Sequence, residues 1–252
     1  MRFKPFWIAT SIFFSSQTLA QDHLEVQYVR AALSSGYDSW NDVNMLNYFG
    51  FKGQHFILET DYKNHFGKSA GFIGLTDTLV YHPLWYQDFS IGVSTDSSIL
   101  PGWIFFTELH RKFLENQAIV GGFGIGHNIS LPPYSDTYAI GEIVYYIDGP
   151  ISLQFGARLN GSSPGSVMTS RFFGSFNLAL NQWEAFLRYE MGREGYSIVS
   201  QNNFRREFPS RDEAIQLRYW LSTRLGVGTK LDWYQSEFYN RNQISLDLLY
   251  KY

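Results

Sequence analysis

The chain of 252 residues contains no cysteine, and charged residues make up only 17% of it. Without cysteine there is no disulfide framework, no thiolate nucleophile and no cysteine-based zinc site. Charged residues usually make up about a quarter of a soluble globular protein. A low charged share beside an aromatic content of 18% is typical of a surface that partly faces lipid, and a secreted β-sandwich is the alternative.

Long hydrophobic runs are also missing after the N-terminal segment. A transmembrane helix needs about 20 consecutive apolar residues. The longest uncharged stretch, residues 116–135, is interrupted by four glycines and by Pro132 and Pro133, so the sequence does not favour a helical membrane protein. The formal net charge of −3 gives no basic surface of the kind that binds nucleic acid, and we expect no nucleic-acid partner.

What the sequence does contain is strict alternation between apolar and polar residues. In the last segment, Ile244, Leu246 and Leu248 fall on one face of a strand, whereas Ser245 and Asp247 fall on the other. A strand of about ten residues with one apolar face fits a tilted crossing of a bilayer. Because every backbone amide in lipid needs a partner, such strands must close into a barrel.

The fold class predicted is therefore all-β: a transmembrane antiparallel up-and-down β-barrel of about fourteen strands, with twelve as the alternative. Strands are predicted at 24–34, 41–51, 54–63, 69–82, 86–95, 102–110, 117–127, 136–147, 150–159, 167–180, 182–192, 212–222, 224–235 and 241–252. Short turns are expected near 52, 84, 113, 148, 181 and 223, on the periplasmic side, with longer loops outside. We interpret 193–211 as a solvated loop facing lipopolysaccharide, with an anion-binding lid as the alternative.

Five tryptophans lie near predicted strand ends, where the aromatic girdles of a membrane barrel are found. They are Trp40, Trp85, Trp103, Trp183 and Trp233. We expect them to face the membrane interfaces, and core aromatics of a soluble sandwich are the alternative.

The N-terminal segment has the pattern of a secretory signal peptide. Arg2 and Lys4 supply the charged end, residues 6–14 are apolar, and Thr18-Leu19-Ala20 is a small-x-small cleavage site. The predicted organisation is a signal peptide over 1–20 and an outer-membrane β-barrel over 21–252, with an uncleaved anchor as the alternative.

Three short motifs carry a resemblance to a known family. They are Ala-Leu-Ser-Ser-Gly-Tyr-Asp at 32–38, Tyr-Ile-Asp-Gly-Pro-Ile at 146–151 and Leu-Arg-Tyr-Trp-Leu at 217–221. With them the chain resembles the YaiO family of outer-membrane β-barrel proteins over most of residues 22–252. The resemblance implies an outer-membrane location in a Gram-negative bacterium and suggests a link to extracellular polysaccharide. It supplies no catalytic residues.

The final strand also looks like the signal that the barrel-assembly machinery reads, because alternating hydrophobic residues end in the aromatic Tyr252. The expected partners are this machinery, outer-membrane lipid and lipopolysaccharide, with polysaccharide as a further candidate.

Residues that could carry out catalysis are scattered along the chain. His127, Asn128 and Ser130 lie close together but do not share a strand face, and Asp61 with His65 could form a protease-like pair without an evident third member. The histidines at 55, 65, 82 and 110 lack metal-ligand spacing, and no helix follows the glycine-rich segment 121–126 to hold a phosphate. We expect no catalytic residue, no cofactor and no metal.

Charged residues on the inward face are the most informative candidates for function. Arg188, Arg218 and Lys230 belong to three consecutive predicted strands near mid-height, with Glu184 below them and Glu190 and Asp232 above. They could form a basic constriction that selects anions, or a ladder of ion pairs that fills the lumen.

The sequence favours a passive function: a porin-like pore or conduit for a small or saccharide solute, and not an enzyme. Two alternatives remain. One is a barrel enzyme that acts on envelope lipid or peptide, and the other is a purely structural or surface-interaction barrel.

Overall fold

The computed structural model describes residues 22–34, 39–51, 54–65, 67–114, 117–130, 134–147, 150–164, 167–198 and 204–252. The predicted signal peptide lies outside these residues. None of the described residues lies in a helix long and apolar enough to cross a bilayer.

The described chain forms one closed, antiparallel β-barrel of fourteen strands, as the alternation predicts. Each strand pairs with its neighbours in sequence, and β1 closes the barrel by pairing with β14 from His23↔Lys251 to Leu33↔Arg241. The strands are β1 His23–Leu33, β2 Trp40–Phe51, β3 Gln54–His65, β4 Lys68–His82, β5 Trp85–Ser94, β6 Trp103–Phe113, β7 Ile119–Ile129, β8 Ser135–Ile147, β9 Ile151–Ser163, β10 Val167–Leu180, β11 Trp183–Ile198, β12 Phe204–Trp220, β13 Leu225–Ser236 and β14 Asn240–Lys251.

The barrel has two distinguishable ends. We call the end that carries His23, Lys251 and the connections 52–53, 83–84, 114–118, 148–150, 181–182 and 221–224 the turn end. These positions agree with the predicted short turns. We call the opposite end, which carries the 34–39 connection between β1 and β2, the loop end. Its longest connection is 95–102, between β5 and β6.

The predicted loop over 193–211 is wrong. Strands β11 and β12 continue to pair through this region, from Gly192↔Ser210 to Ile198↔Phe204. The outward side of the hairpin changes there from apolar residues to Arg193 and Arg211, whose side chains are both 56% exposed. Because the outward face is polar beyond that level, the alternation of the membrane-spanning part disappears from the sequence although backbone pairing goes on.

Burial in this barrel is the reverse of burial in a soluble protein. Outward side chains such as Phe123 and Phe155 are 63% exposed, whereas inward residues such as Glu108 and Asp247 are buried. Buried polar residues outnumber buried apolar ones among the described residues. An apolar exterior around a polar interior is the arrangement expected of a barrel in lipid.

Three of the five tryptophans expected in an aromatic girdle face outward, and the expectation is wrong for Trp40. Trp103, Trp183 and Trp233 are outward and well exposed. Trp40 is 1% exposed and stacks inside the barrel on His65, with ring centroids 4.4 Å apart. Trp40 lies near a strand end, but it shares the inward face of β2 with Asp42. Closeness to a strand end therefore does not determine which face a residue takes.

Candidate functional site

The lumen contains a cavity of about 280 Å³ that spans the barrel interior from β2–β5 to β10–β14. Aromatic rings of Trp40, Tyr138, Tyr234 and Tyr239 line it together with charged groups of both signs. The carboxylates in its wall are Asp42, Glu59, Asp61, Glu190, Glu194, Asp212 and Asp232, and the basic residues are Lys63, Arg171, Arg188, Lys230 and Arg241. Acidic groups therefore outnumber basic ones around the cavity.

Four of the six predicted lumen charges line this cavity. Arg188 forms an ion pair with Glu190, two positions along the same strand. Lys230 Nζ lies 3.7 Å from Asp232 Oδ2. Residues two apart in a strand point to the same face, so each of these pairs stays on one stretch of the inner wall.

The other two predicted residues lie nearer the turn end. Arg218 of β12 pairs in register with Glu184 of β11. Glu184 lies four residues closer to the turn end than Arg188 on the same strand. Arg218 forms a buried ion pair with Glu25 of β1, and its Nε lies 3.7 Å from Asp247 Oδ2. Glu184 Oε1 accepts a 2.8 Å hydrogen bond from Trp220 Nε1. The three basic residues therefore do not form one belt.

Two arginines that the sequence analysis did not select hold the cavity wall together. Arg241 Nη2 lies 2.6 Å from Asp232 Oδ1 and 3.3 Å from Asp212 Oδ2, so it joins β14, β13 and β12. Its guanidinium carbon also lies 5.5 Å from the ring centroid of Trp40, within the range of a cation–π interaction. The signal available was its inward position in the alternation of β14.

Arg171 of β10 is the second of these arginines, and it binds two carboxylates of β11. Its Nε lies 2.5 Å from Glu190 Oε1, and its Nη1 pairs with Glu194. Glu194 also accepts hydrogen bonds from Ser210 Oγ at 2.8 Å and Tyr234 Oη at 3.2 Å. This part of the lumen is a connected network and not a set of free charges.

On the opposite wall, Asp61 and His65 each contact a different residue from the one that the sequence suggested. His65 Nε2 lies 2.7 Å from Asp42 Oδ1, and Lys63 Nζ lies 2.9 Å from Asp61 Oδ2. Residue 65 pairs with Asp42 because β2 and β3 run antiparallel in a register that places Asn41 opposite Asn64.

The residues around His127 are divided between the two faces of β7. His127 Nδ1 lies 2.8 Å from Thr137 Oγ1 on the exposed side, whereas Asn128 is 5% exposed and points inward. Ser130 lies past the end of β7, where its backbone N–H donates to Tyr134 O. The strand geometry therefore does not assemble these three residues into a catalytic group.

The glycine-rich strand β7 makes room for large inward side chains. A methyl group added at Gly124 would lie 2.9 Å from Ile140 Cγ2, and one at Gly126 would lie 2.2 Å from Tyr138 Cζ. The segment 121–126 is thus explained by packing across the lumen face, where glycine permits a close approach.

Comparison with known proteins identifies both the family and the fold. The model of the YaiO membrane β-barrel domain matches residues 21–197. No curated protein sequence matches the chain.

Solved structures share the architecture at low sequence identity. Omp33 of Acinetobacter baumannii has a TM-score of 0.54 at 13% identity, covering 92% of this chain and 99% of that one. An outer membrane channel from Pseudomonas putida F1 has a TM-score of 0.56 at 6% identity, covering 92% and 96%. A bacterial polysaccharide outer membrane secretin has a TM-score of 0.57 at 7% identity, covering 92% and 98%. At these identities the likeness shows the fold.

Proposed function

The chain belongs to the YaiO family of membrane β-barrel proteins, and from this premise we propose that it is a passive outer-membrane pore for small polar solutes, saccharides above all. The observation that carries the proposal is the cavity of about 280 Å³ in its lumen. The volume is close to the lower end of the range for ligand sites, about 300–1,000 Å³, and suits a solute the size of one sugar ring.

The chemistry of the wall supports a neutral, hydroxyl-rich solute. Ionised carboxylates accept hydrogen bonds, and arginine and lysine donate them, so the interleaved charges can satisfy hydroxyl groups in many orientations. Trp40 and Tyr234 add apolar ring faces for the C–H side of a sugar. Proteins of similar fold include the outer membrane channel of Pseudomonas putida F1 and a bacterial polysaccharide secretin, and this likeness supports the proposed class of function.

Charge in the lumen does not support selection of anions. Arg188 and Lys230 each have an acidic residue beside them, and acidic residues are the more numerous group in the cavity wall. We therefore propose a pore with little charge preference, or a weak preference for cations. A barrel that catalyses no reaction is part of the same proposal.

A structural or surface-interaction barrel is the second candidate, and one observation favours it. At the turn end the lumen holds Arg218 between Glu25 and Asp247, all about 5% exposed. Such a layer of buried ion pairs can block a lumen, and a blocked barrel would not conduct. The experiment below separates the two functions.

The expected location is the outer membrane, with the apolar outer face in lipid and the loop end towards lipopolysaccharide. We also propose that the barrel-assembly machinery recognises β14 and Tyr252.

Ala214→Trp is expected to reduce single-channel conductance several-fold in planar lipid bilayers. Ala214 is 3% exposed, lines the cavity and lies near the middle of β12. An indole at this position would occupy space that water and ions use. The measurement is the current through the full-length, refolded protein, together with the uptake of a monosaccharide and of a tetrasaccharide into proteoliposomes. We expect the monosaccharide alone to enter.

Ile215→Trp is the matched control, because the neighbouring Ile215 is 41% exposed on the outer face. It should conduct as the unmodified protein does. If the folded, unmodified barrel carries no current, the pore is refuted and the structural function gains support. If Ala214→Trp conducts normally, the current does not pass through this cavity.

A further inference from the structure

Three side chains with metal-binding groups meet on the inner wall near the turn end. Glu108 and His110 lie on β6, and Glu142 lies on β8. Gly122 of the intervening strand β7 pairs in register with His110 on one side and with Glu142 on the other. One ligand atom from each of the three side chains lies within 4.8 Å of the others.

The cluster is buried, and one of its two carboxylates, that of Glu108, is unsatisfied. Glu108 is 0% exposed, and neither of its carboxylate oxygens has a hydrogen-bond partner among the described residues. His110 Nε2 lies 3.8 Å from Glu108 Oε2. A buried carboxylate is costly unless it is paired, protonated or bound to a metal, and a cation at this place would offset that cost.

The second layer of contacts holds two of the three groups in position. Asp88 Oδ2 lies 3.1 Å from His110 Nε2, which leaves His110 Nδ1 with no hydrogen-bond partner among the described residues. Gln154 Nε2 donates a 2.7 Å hydrogen bond to Glu142 Oε2. Metal-binding histidines are usually hydrogen-bonded to a carboxylate, and metal-binding carboxylates usually accept a hydrogen bond, because these contacts fix the orientation of the ligands.

The missing side chain of Gly122 provides the space in which the ligand atoms converge. A methyl group there would lie 2.6 Å from Glu108 Oε1 and 3.0 Å from His110 Nδ1. It would also lie 2.9 Å from Glu142 Cγ. The free oxygen of Glu108 and the free nitrogen of His110 therefore face the same small volume above β7.

We propose that Glu108, His110 and Glu142 bind one divalent transition-metal ion, of which Zn²⁺ is the representative. Imidazole nitrogen with carboxylate oxygen suits Zn²⁺ and its first-row neighbours, whereas Ca²⁺ and Mg²⁺ take oxygen ligands. Zinc-to-ligand distances of about 2 Å require the three ligand atoms, which lie within 4.8 Å of one another, to move closer together by side-chain rotation. The ion would join β6 to β8 across β7 and compensate the buried carboxylates.

The test is Zn²⁺ binding to the refolded full-length protein after dialysis against a chelator, measured by competition with a zinc-sensitive dye. We expect one Zn²⁺ per chain and a rise in the thermal unfolding midpoint with Zn²⁺ but not with the same concentration of Ca²⁺. Glu108→Gln and Gly122→Ala should each weaken binding at least about tenfold, the first by removing a ligand charge and the second by filling the site.

Glu184→Gln is the control, because it removes a lumen carboxylate that lies away from the cluster and should leave Zn²⁺ affinity unchanged. If Glu108→Gln does not fold, His110→Gln takes its place. Binding that survives both Gly122→Ala and loss of a ligand would overturn the proposal and assign the ion to surface groups. Equal stabilisation by Ca²⁺ would overturn it as well. The readout is binding, so the result does not depend on whether the barrel conducts.

Discussion

Replacing Arg218 by methionine is expected to lower the free energy of unfolding by about 3–5 kcal/mol. Arg218 is 5% exposed and Glu25 is 4% exposed, and the two form an ion pair across the turn end of the lumen. Methionine keeps most of the volume but removes the charge, which leaves the Glu25 carboxylate buried without compensation. Asp247 is less affected, because Gln27 and Gln216 still donate to it at 2.8 and 2.6 Å.

Unfolding by denaturant in lipid vesicles measures this loss, and two further variants identify its cause. Adding Glu25→Gln to Arg218→Met should recover at least half of the lost stability, since the orphaned charge is then absent. Arg193→Met breaks an ion pair with Glu207 whose side chains are 56% and 41% exposed, and should cost less than about 1 kcal/mol. Equal losses for Arg218→Met and Arg193→Met would mean that the lumen at the turn end is as wet as the outer surface.

Phe155→Arg is expected to cost about 2–4 kcal/mol if Phe155 lies near the bilayer midplane. Phe155 is 63% exposed on the outer face of β9, in the band of apolar residues that meets lipid. A guanidinium in hydrocarbon has no water and no carboxylate partner. The measurement is a folding titration into lipid vesicles at several bilayer thicknesses.

The adjacent inward residue supplies the matched comparison. Gln154 already donates to Glu142 Oε2 at 2.7 Å, so an arginine at 154 finds a carboxylate in reach and should cost less than about 1 kcal/mol. Phe155→Leu keeps the apolar character and should also cost little. A similar loss at 154 and 155 would contradict the assignment of inner and outer faces.

Much of the fold follows from the sequence because one face of each strand must be apolar and the other need not be. Alternation in β14, with Ile244 and Leu246 outward and Ser245 and Asp247 inward, is fixed by the pleat of the strand. The same rule fails where the apolar band ends, which is why β11 continues to Ile198 although the pattern stops near Met191.

Contacts across the lumen could not be predicted in this way. Glu25 and Arg218 are 193 positions apart, and their meeting depends on the closing of β1 onto β14 and on the stagger of every strand between them. Alternation assigns a face to a residue but not a height, so it groups Arg188 and Lys230 with Arg218 although Arg218 lies nearer the turn end. Arg171 and Arg241 carry the same inward signal, but their carboxylate partners lie on other strands and are not evident from spacing along one strand.

The proposed metal site illustrates a signal that motif spacing along the chain does not include. Glu108 and His110 are two apart on one strand, which places both on the same face, and Gly122 and Glu142 follow on the next two strands. Two members of the site, Glu108 and His110, are visible along one strand. The third, Glu142, joins them because the register of β6, β7 and β8 places it next to Gly122, which pairs with His110. Patterns taken across neighbouring strands are therefore more informative in a barrel than patterns along the chain.

The alternation of β14 and its neighbours also has a consequence for the chain before it folds. The apolar surface is present in residues 22–252 only as every second side chain, so no stretch resembles a span that the inner membrane would retain. Affinity for lipid arises when fourteen strands close and their outward residues become one continuous band. The unfolded chain is thus polar enough to stay in aqueous solution, and it becomes a membrane protein when the barrel closes.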